Sequence, residues 1–168
     1  MNKKLTTQII AKTARISNLS DIETSVKGSA LHIGEQTVID SFVKIKFTGG
    51  VGDIIIGDRC SINSGCVLYS GNGLNIGNNV NIAANCVFAP TNHSYKDKDV
   101  CIRDQGFMPS RGGITIEDNV WIGAGVIILD GAIIRTGCVV GALSLVRAGV
   151  LEKDSVYAGN PIKLLRMR

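Results

Sequence analysis

Aliphatic side chains recur at every sixth position through most of this chain. The repeating positions are Ile56, Ile62 and Leu68, then Ile76, Ile82 and Phe88, and after an interruption Ile116, Ile122, Ile128, Ile134, Val140 and Val146. A spacing of six matches neither the 3.6-residue period of an α-helix nor the two-residue alternation of an ordinary strand. The chain therefore consists of repeated short units rather than of conventional helices and strands.

Two further features of each unit indicate a coiled architecture. Turn-forming residues follow many of the aliphatic positions, as in Ile56-Gly57-Asp58 and Ile76-Gly77-Asn78, and such residues tolerate sharp corners. Small apolar residues lie four places beyond the aliphatic positions: Cys60, Cys66, Val80, Cys86, Val120, Val126, Ala132 and Cys138. Six residues per side give a triangular coil of about 18 residues, and such coils stack at the strand spacing of roughly 4.8 Å. We predict an all-β fold, a parallel β-helix of about seven coils.

The repeat has weaker and interrupted parts. It extends upstream through Ile16, Ile22, Ile33, Ile39 and Ile45, and it lapses between Phe88 and Ile116. The segment of about residues 89–113 contains prolines, several charges and His93, so we predict a protruding loop, where function concentrates. Residues 161–168 form a short basic tail for which we consider a helical conformation. One domain, residues 1–168, accounts for the length.

Composition restricts the classes of function. No apolar run approaches the roughly 18 residues of a membrane span. A modest net charge of +4 that is not gathered into one long run argues against a nucleic-acid protein. Five cysteines without a Cys-x-x-Cys pair suggest neither a disulfide framework nor a zinc site. Lys3 and Lys4 resemble the start of a signal peptide, but Thr6 and later polar residues interrupt any apolar core. We expect a cytoplasmic protein in a reducing compartment.

Two segments carry a resemblance to a known family. The stretch from Ile114 to Ile128, which reads ITIEDNVWIGAGVII, and Ala158-Gly159-Asn160-Pro161 resemble the signature coil and the C-terminal closure of the hexapeptide-repeat acyltransferases. Within that family, the chain resembles sugar O-acetyltransferases of the galactoside and maltose acetyltransferase type. The loop segment Asp104 to Phe107, which leads into Gly112-Gly113-Ile114, is similar to that of capsule and O-antigen polysaccharide acetyltransferases.

The family resemblance implies a set of properties. They are left-handed winding, a homotrimer with active sites between subunits, acetyl-CoA as co-substrate, no metal, and direct transfer to a hydroxyl of a sugar, a nucleotide sugar or a surface-polysaccharide precursor. Galactoside acetyltransferase has an acceptor-binding carboxylate where this chain has Gly71. The acceptor is therefore expected to differ from a simple galactoside.

His93 is the predicted catalytic residue. The segment Ile82-Ala83-Ala84-Asn85, followed by Thr91-Asn92-His93, resembles the family segment that ends in the catalytic histidine. A neutral imidazole with a pKa of about 6.5 can remove a hydroxyl proton during acyl transfer. The same resemblance implies that Asn63 holds the acceptor and the acetyl group.

The other candidate residues concern the donor and the groove. Trp121, the only tryptophan, should face outward because a narrow solenoid cannot enclose an indole; the resemblance implies that it lines the acceptor or CoA site, and subunit packing is the alternative. Backbone N–H groups of Gly123 and Ala124 at a coil corner could stabilise an oxyanion. The resemblance implies that CoA contacts the backbone of Ala142 and, at its phosphate end, Lys163 and Arg166; Arg147 is a further candidate.

Alternatives remain open at the level of sequence. Cys60, Cys66, Cys86 and Cys138 fall on inward positions and are interpreted as core filler, while Cys101 in the loop lacks a nucleophile motif. An N-acetyltransferase acting on an amino sugar would use the same fold and donor, and a non-catalytic solenoid could serve as a binding module. The γ-class carbonic anhydrases share the fold but bind zinc through three histidines, and this chain has two.

Overall fold

The computed structural model of this chain describes residues 7–168. Lys3, Lys4 and Thr6, on which the expectation about export partly depends, lie outside the described residues. The first four coils contain β1 (Gln8–Ile10), β2 (Arg15–Ile16) and β3 (Asp21–Ile22); β4 (Leu31–Ile33), β5 (Val38–Ile39) and β6 (Lys44–Lys46); β7 (Ile54–Ile56), β8 (Ser61–Ile62) and β9 (Val67–Tyr69); and β10 (Leu74–Ile76), β11 (Asn81–Ile82) and β12 (Val87–Ala89).

The remaining coils follow a long connection. They contain β13 (Ile114–Ile116), β14 (Trp121–Ile122) and β15 (Ile127–Leu129); β16 (Ala132–Ile134), β17 (Val139–Val140) and β18 (Leu145–Val146); and β19 (Gly149–Leu151) with β20 (Ser155–Ala158), followed by β21 (Lys163–Met167). The connection, residues 90–113, leaves the solenoid after Ala89 and returns at Ile114, and it contains one short 3₁₀ turn, Ile102–Asp104.

Equivalent strands of successive coils form three parallel sheets. Sheet A joins the first strand of each coil from β1 to β19, sheet B joins the second strands from β2 to β20, and sheet C joins the third strands from β3 to β18. The seven strands of sheet A correspond to seven coils, and the fold is the predicted left-handed β-helix. We call the corner between sheets A and B the first corner, that between B and C the second, and that between C and A the third.

The corners require backbone conformations that the sequence supplies. At the second corner, φ is +74° at Gly65, +62° at Asn85, +68° at Gly125 and +58° at Leu143. This left-handed region is available to glycine without steric cost, and asparagine tolerates it better than most residues. Corner geometry thus explains the glycine and asparagine that lie three places after the aliphatic positions Ile62, Ile82 and Ile122.

The core is a narrow column of stacked side chains. Every aliphatic position predicted from Ile56 to Val146 is buried, and so are all eight small inward residues from Cys60 to Cys138. In coil 1, Ile16 and Ile22 are only half-buried. Among the described residues, that coil has a neighbouring coil on one side only, so its inward side chains are covered on one side.

The C-terminal tail is not helical. Residues 163–167 form β21, which runs antiparallel to β20 and pairs Ala158 with Lys163 and Ser155 with Met167. The last parallel coil leaves the N–H and C=O groups of β20 unpaired, and the returning chain satisfies them. A short helix would leave this edge open, which is the physical reason that the strand is formed. Within residues 7–168, no helix has the length and apolar character needed to span a membrane.

Candidate active site

His93 lies on a short antiparallel element inside the protruding loop. It faces Phe107 in an isolated β-bridge. The Ser94 N–H donates to the Gly106 carbonyl at 2.9 Å, and the Met108 N–H donates to the Asn92 carbonyl at 2.8 Å. The imidazole and the Phe107 ring have centroids 4.7 Å apart, with their planes tilted by 41°. His93 is therefore exposed on a backbone whose position is fixed on both sides.

Gln105 closes the outer part of the loop. Its side-chain oxygen accepts a hydrogen bond from the Asp97 N–H at 3.2 Å, and its amide nitrogen donates to the carbonyls of Asp97 at 2.7 Å and Val100 at 2.8 Å. One side chain thus satisfies three backbone groups of a segment that has little regular structure. The loop encloses a cavity of about 440 Å³ beside this contact, lined in part by Tyr95, Lys96 and Met108.

A buried carboxylate holds the base of the loop. Asp130, which is 4% exposed, accepts hydrogen bonds from the N–H groups of Arg111 at 2.8 Å and Gly113 at 2.9 Å, and from the Asn72 side chain at 3.1 Å. The Asn72 N–H also donates to the Pro90 carbonyl at 3.2 Å. We call Asn72 and Asp130 the clasp, because together they contact the outgoing and the returning ends of the loop.

Asn63 and the predicted backbone donors lie at the second corner. The Asn63 side chain donates to the Ile82 carbonyl at 2.7 Å. The Gly123 N–H donates to the Val140 carbonyl at 2.7 Å and is therefore engaged in the ladder. Within residues 7–168, the N–H groups of Ala124 and Ala142 donate to no protein acceptor, and both residues are exposed. These two amides, on adjacent coils, are available to a ligand.

Gly123 is required by close packing between coils 5 and 6. A Cβ atom on this residue would lie 2.5 Å from the Ala142 nitrogen and 2.9 Å from the Ala142 Cα. Both are backbone atoms, so a side chain here would push the coils apart. The absence of a side chain keeps the Ala124 and Ala142 corners in contact.

Trp121 and Arg166 line a second cavity, on the outer surface of sheet B. The cavity measures about 620 Å³, and the Trp121 side chain is 56% exposed. Its other lining residues are Asn79, Asn81, Asn119, Val120, Val139, Gly141, Val156 and Arg168. Sequence reasoning did not assign Arg168 and the three asparagines to the site. The recurrence of asparagine near the first corner on successive coils was the available signal.

The remaining candidates occupy separate places. Lys163 begins β21, where it pairs with Ala158, and Arg147 directly follows β18 at the third corner. His93 also belongs to the third corner, since its loop departs there. Asn63, Gly123, Ala124 and Ala142 are at the second corner, so one full side of the coil separates the two groups.

That separation exceeds contact distance. Six residues at a rise of ~3.3 Å per residue span roughly 20 Å. Among the described residues, the hydrogen bonds of the loop go to other loop residues or to the third corner. The structure of one chain therefore does not bring His93 together with Asn63 or Ala124.

The thiols of the inward cysteines are buried. Cys60, Cys66, Cys86 and Cys138 are free and buried, as predicted, whereas Cys101 is free and exposed. Burial raises the pKa of the Cys138 thiol to about 11 and also raises the pKa of Cys60. Residues 7–168 contain no group of three or more His, Cys, Asp or Glu side chains that could hold a metal ion.

The curated proteins similar to this chain include an acetyltransferase and a gamma carbonic anhydrase. The chain is 29% identical over 141 residues to a probable acetyltransferase of Mycobacterium tuberculosis, which covers 84% of this chain and 43% of that protein. It is 35% identical over 123 residues to the mitochondrial gamma carbonic anhydrase 2 of Arabidopsis thaliana, which covers 69% of this chain and 44% of that protein. The chain thus spans about half the length of the curated relatives it matches.

A solved structure has the same fold over nearly the whole chain. AntD, an N-acyltransferase from Bacillus cereus in complex with dTDP and 3-hydroxybutyryl-CoA, superimposes with a TM-score of 0.78 at 22% identity, and the match covers 96% of this chain and 82% of AntD. Residues 113–148 match the family described as bacterial transferase hexapeptide (six repeats). The repeat, the three-sided solenoid and these relatives agree: the chain is a hexapeptide-repeat β-helix that is similar to acetyltransferases and acyltransferases with this fold.

Proposed function

We propose that this protein transfers the acetyl group of acetyl-CoA to a hydroxyl of a sugar, a nucleotide sugar or a surface-polysaccharide precursor. One observation carries the proposal: His93, at the position that resembles the family's catalytic histidine, is exposed on a backbone element held by paired hydrogen bonds. A general base must be accessible to the acceptor and carried on a fixed backbone, and His93 satisfies both requirements.

The proposed reaction is a direct transfer with His93 as general base. The imidazole takes the proton of the acceptor hydroxyl as the hydroxyl oxygen attacks the thioester carbonyl carbon. The resulting tetrahedral oxyanion collapses to the acetyl ester and breaks the carbon–sulfur bond. The imidazolium then returns its proton to the departing CoA thiolate, so that histidine ends as it began.

The second corner suits the donor and the oxyanion. The free N–H groups of Ala124 and Ala142 can donate to carbonyl oxygens of the thioester and the pantetheine arm. The Gly123 N–H is already engaged in the ladder, and Gly123 contributes by letting the two corners pack closely. Asn63 would contact the acceptor and the acetyl group, and Trp121 would line the groove. Lys163, Arg166 and, at lower rank, Arg147 supply positive charge for the phosphates.

The separation of the two groups supports a homotrimer. Asn63 and Ala124 are at the second corner and His93 departs from the third, roughly 20 Å away along sheet C. If sheet C of one subunit faces a corner of the next, a second copy of the chain can supply the missing half of each site, and cyclic symmetry repeats this arrangement around a closed ring. We propose three sites per trimer, each shared by two subunits, in a cytoplasmic protein where acetyl-CoA is available.

An amino-sugar acceptor is the second candidate. AntD, which has the same fold, is an N-acyltransferase, and an amine attacks a thioester by the same route as a hydroxyl. Carbonic anhydrase activity is not supported, because this chain has two histidines and that class needs three for zinc. A non-catalytic binding module would retain the cavities without transfer.

One experiment separates these functions. Wild type, His93→Ala and the control His32→Ala are incubated with acetyl-CoA and a pool of glycosides, nucleotide sugars and amino sugars, and acetylated products are identified by mass spectrometry. We expect wild type and His32→Ala to be equally active and His93→Ala to lose about 10²- to 10⁴-fold. Hydroxylamine cleaves an ester product and leaves an amide, which distinguishes the acceptor atom. Full activity of His93→Ala would refute the assignment of the base.

A further inference from the structure

Phe107 is the aromatic side chain that pairs with the His93 ring in the described part of the chain. Their centroids are 4.7 Å apart with a tilt of 41°, which lies within the range of favourable aromatic pairs. The two residues face each other across an antiparallel bridge, where opposite side chains lie on the same face and in contact distance. The contact is thus a consequence of backbone pairing.

The contact is not needed to bury apolar surface. The Phe107 side chain remains 47% exposed, so it adds little to the core. The loop is held elsewhere, at its base by the clasp of Asn72 and Asp130 and in its outer part by the three hydrogen bonds of Gln105. A phenyl ring that is not part of the core therefore lies against the imidazole.

An exposed histidine without such a neighbour would sample several rotamers about χ1 and χ2. Among residues 7–168, no hydrogen bond to a ring nitrogen fixes the His93 imidazole. A bulky planar ring on one side removes the rotamers that would overlap it. General-base catalysis depends on an imidazole nitrogen lying within hydrogen-bond reach of the acceptor hydroxyl.

We propose that Phe107 is a positioning residue that orients the His93 imidazole for proton removal. This inference rests on the proposed function of His93. Phe107 acts through the imidazole and takes no proton itself, so its substitution lowers kcat and leaves the KM for acetyl-CoA and for the acceptor unchanged. An aromatic replacement retains the orientation of the imidazole and the kcat, and an aliphatic replacement of similar size does not.

The first test is spectroscopic and independent of catalysis. The chain contains two histidines, so ¹³C-labelled histidine gives two sets of imidazole C–H signals, with His32 as an internal reference. A phenyl ring at 4.7 Å displaces the His93 signals by its ring current. We expect Phe107→Leu to move the His93 signals towards the values of an exposed histidine and Phe107→Tyr to retain them. Unchanged His93 signals in Phe107→Leu would refute the contact.

The second test is kinetic. Phe107→Leu should lower kcat by about 10- to 100-fold, as expected for a misplaced catalytic group, and Phe107→Tyr should retain most of the activity. The control Ile9→Ala alters another exposed large apolar residue, on sheet A of coil 1 and away from the second and third corners, and should have wild-type activity. In a His93→Ala background, Phe107→Leu should cause no further loss, because the two residues act as one unit.

These measurements distinguish a failure of the positioning role of Phe107 from a failure of the general-base role of His93. A loss confined to the KM for the acceptor would show that Phe107 binds the acceptor, and it would overturn the positioning role. A further loss in the His93→Ala background would overturn it as well. If His93→Ala has full activity while the ring-current shift is present, the proposed function fails, and positioning for catalysis fails with it although the contact stands.

Discussion

Four thiols occupy inward positions beside the coil corners, and their neighbours are carbonyl groups. The Cys66 and Cys86 sulfurs both lie near the Ala83 carbonyl, at 3.1 and 3.2 Å, and the Cys60 sulfur lies 3.1 Å from the Gly77 carbonyl. A thiol is small enough for a coil corner and can donate weakly to a backbone acceptor there. Cysteine thus fills the position that valine or alanine fills on other coils.

The inward thiols should be unreactive in the folded protein. Iodoacetamide must reach the sulfur and reacts with the thiolate. All four inward thiols are buried, and burial also raises the pKa of Cys60 and Cys138. At pH 8 we expect alkylation of one thiol per native chain, at Cys101, and of all five cysteines in denaturant, measured by intact mass spectrometry. Cys101→Ser should abolish the native reaction. Rapid labelling of Cys66 or Cys86 would show that the coils open.

At the scale of elements, the loop depends on a carboxylate in the next coil. Asp130 lies in the turn between β15 and β16, and the residues that it holds, Arg111 and Gly113, precede β13. Removing a buried acceptor leaves the donors unsatisfied at a cost of about 1–3 kcal/mol each. The returning end of the loop can move outward to reach water, so we expect the loop to loosen while the coils persist.

Trypsin can detect this loosening. Exposed Lys96, Lys98, Arg103 and Arg111 lie in the loop. We expect Asp130→Ala to be cleaved there several times faster than wild type while its circular dichroism is unchanged, and we expect reduced transferase activity. Asp118→Ala is the matched control, because Asp118 accepts a backbone hydrogen bond from Asn78 at the first corner, away from the loop. Equal cleavage of both variants would contradict the role of the clasp.

Local and non-local features differ in how far the sequence predicts them. The inward residues and corners were predicted because each six-residue unit repeats the same local requirement for one aliphatic residue, one small residue and a turn. The strand β21 was not predicted, because its partner β20 lies on the other side of a turn and the tail itself has no period. The contact of Phe107 with His93 lies within the segment where the repeat lapses, and the contact of Asp130 with Arg111 joins that segment to a turn of the next coil. No spacing predicts either contact.

At the scale of the molecule, the three outer faces differ in polarity. On sheet C, the outward residues of coils 3 to 6 form a ladder in which Val67 pairs with Val87, Val87 with Ile127, and Ile127 with Leu145. The corresponding positions on sheet A are mixed, with His32, Asn75 and Thr115 between Ile9, Ile55, Ile133 and Val150. Those on sheet B are Arg15, Val38, Ser61 and Asn81 in the first four coils and Trp121, Val139 and Val156 in the last three. Sheet C therefore presents a continuous apolar stripe, as expected of a surface that packs against another subunit.

The stripe predicts which substitution separates the subunits. Ile127→Asp places a charge in the middle of the ladder, where association would have to bury it unpaired, whereas Ile55→Asp places the same charge on sheet A. The two isoleucines are similarly exposed in one chain, at 42% and 39%, so they are a matched pair. By sedimentation velocity we expect wild type and Ile55→Asp to have three times the chain mass of 17.8 kDa, and Ile127→Asp to be monomeric.

Because the second and third corners of one chain are roughly 20 Å apart, the monomer should also lose transferase activity while keeping its β-sheet circular dichroism. A monomeric wild type, or an Ile127→Asp variant that remains trimeric, would contradict sheet C as the interface, and an active monomer would show that one chain completes the site by itself.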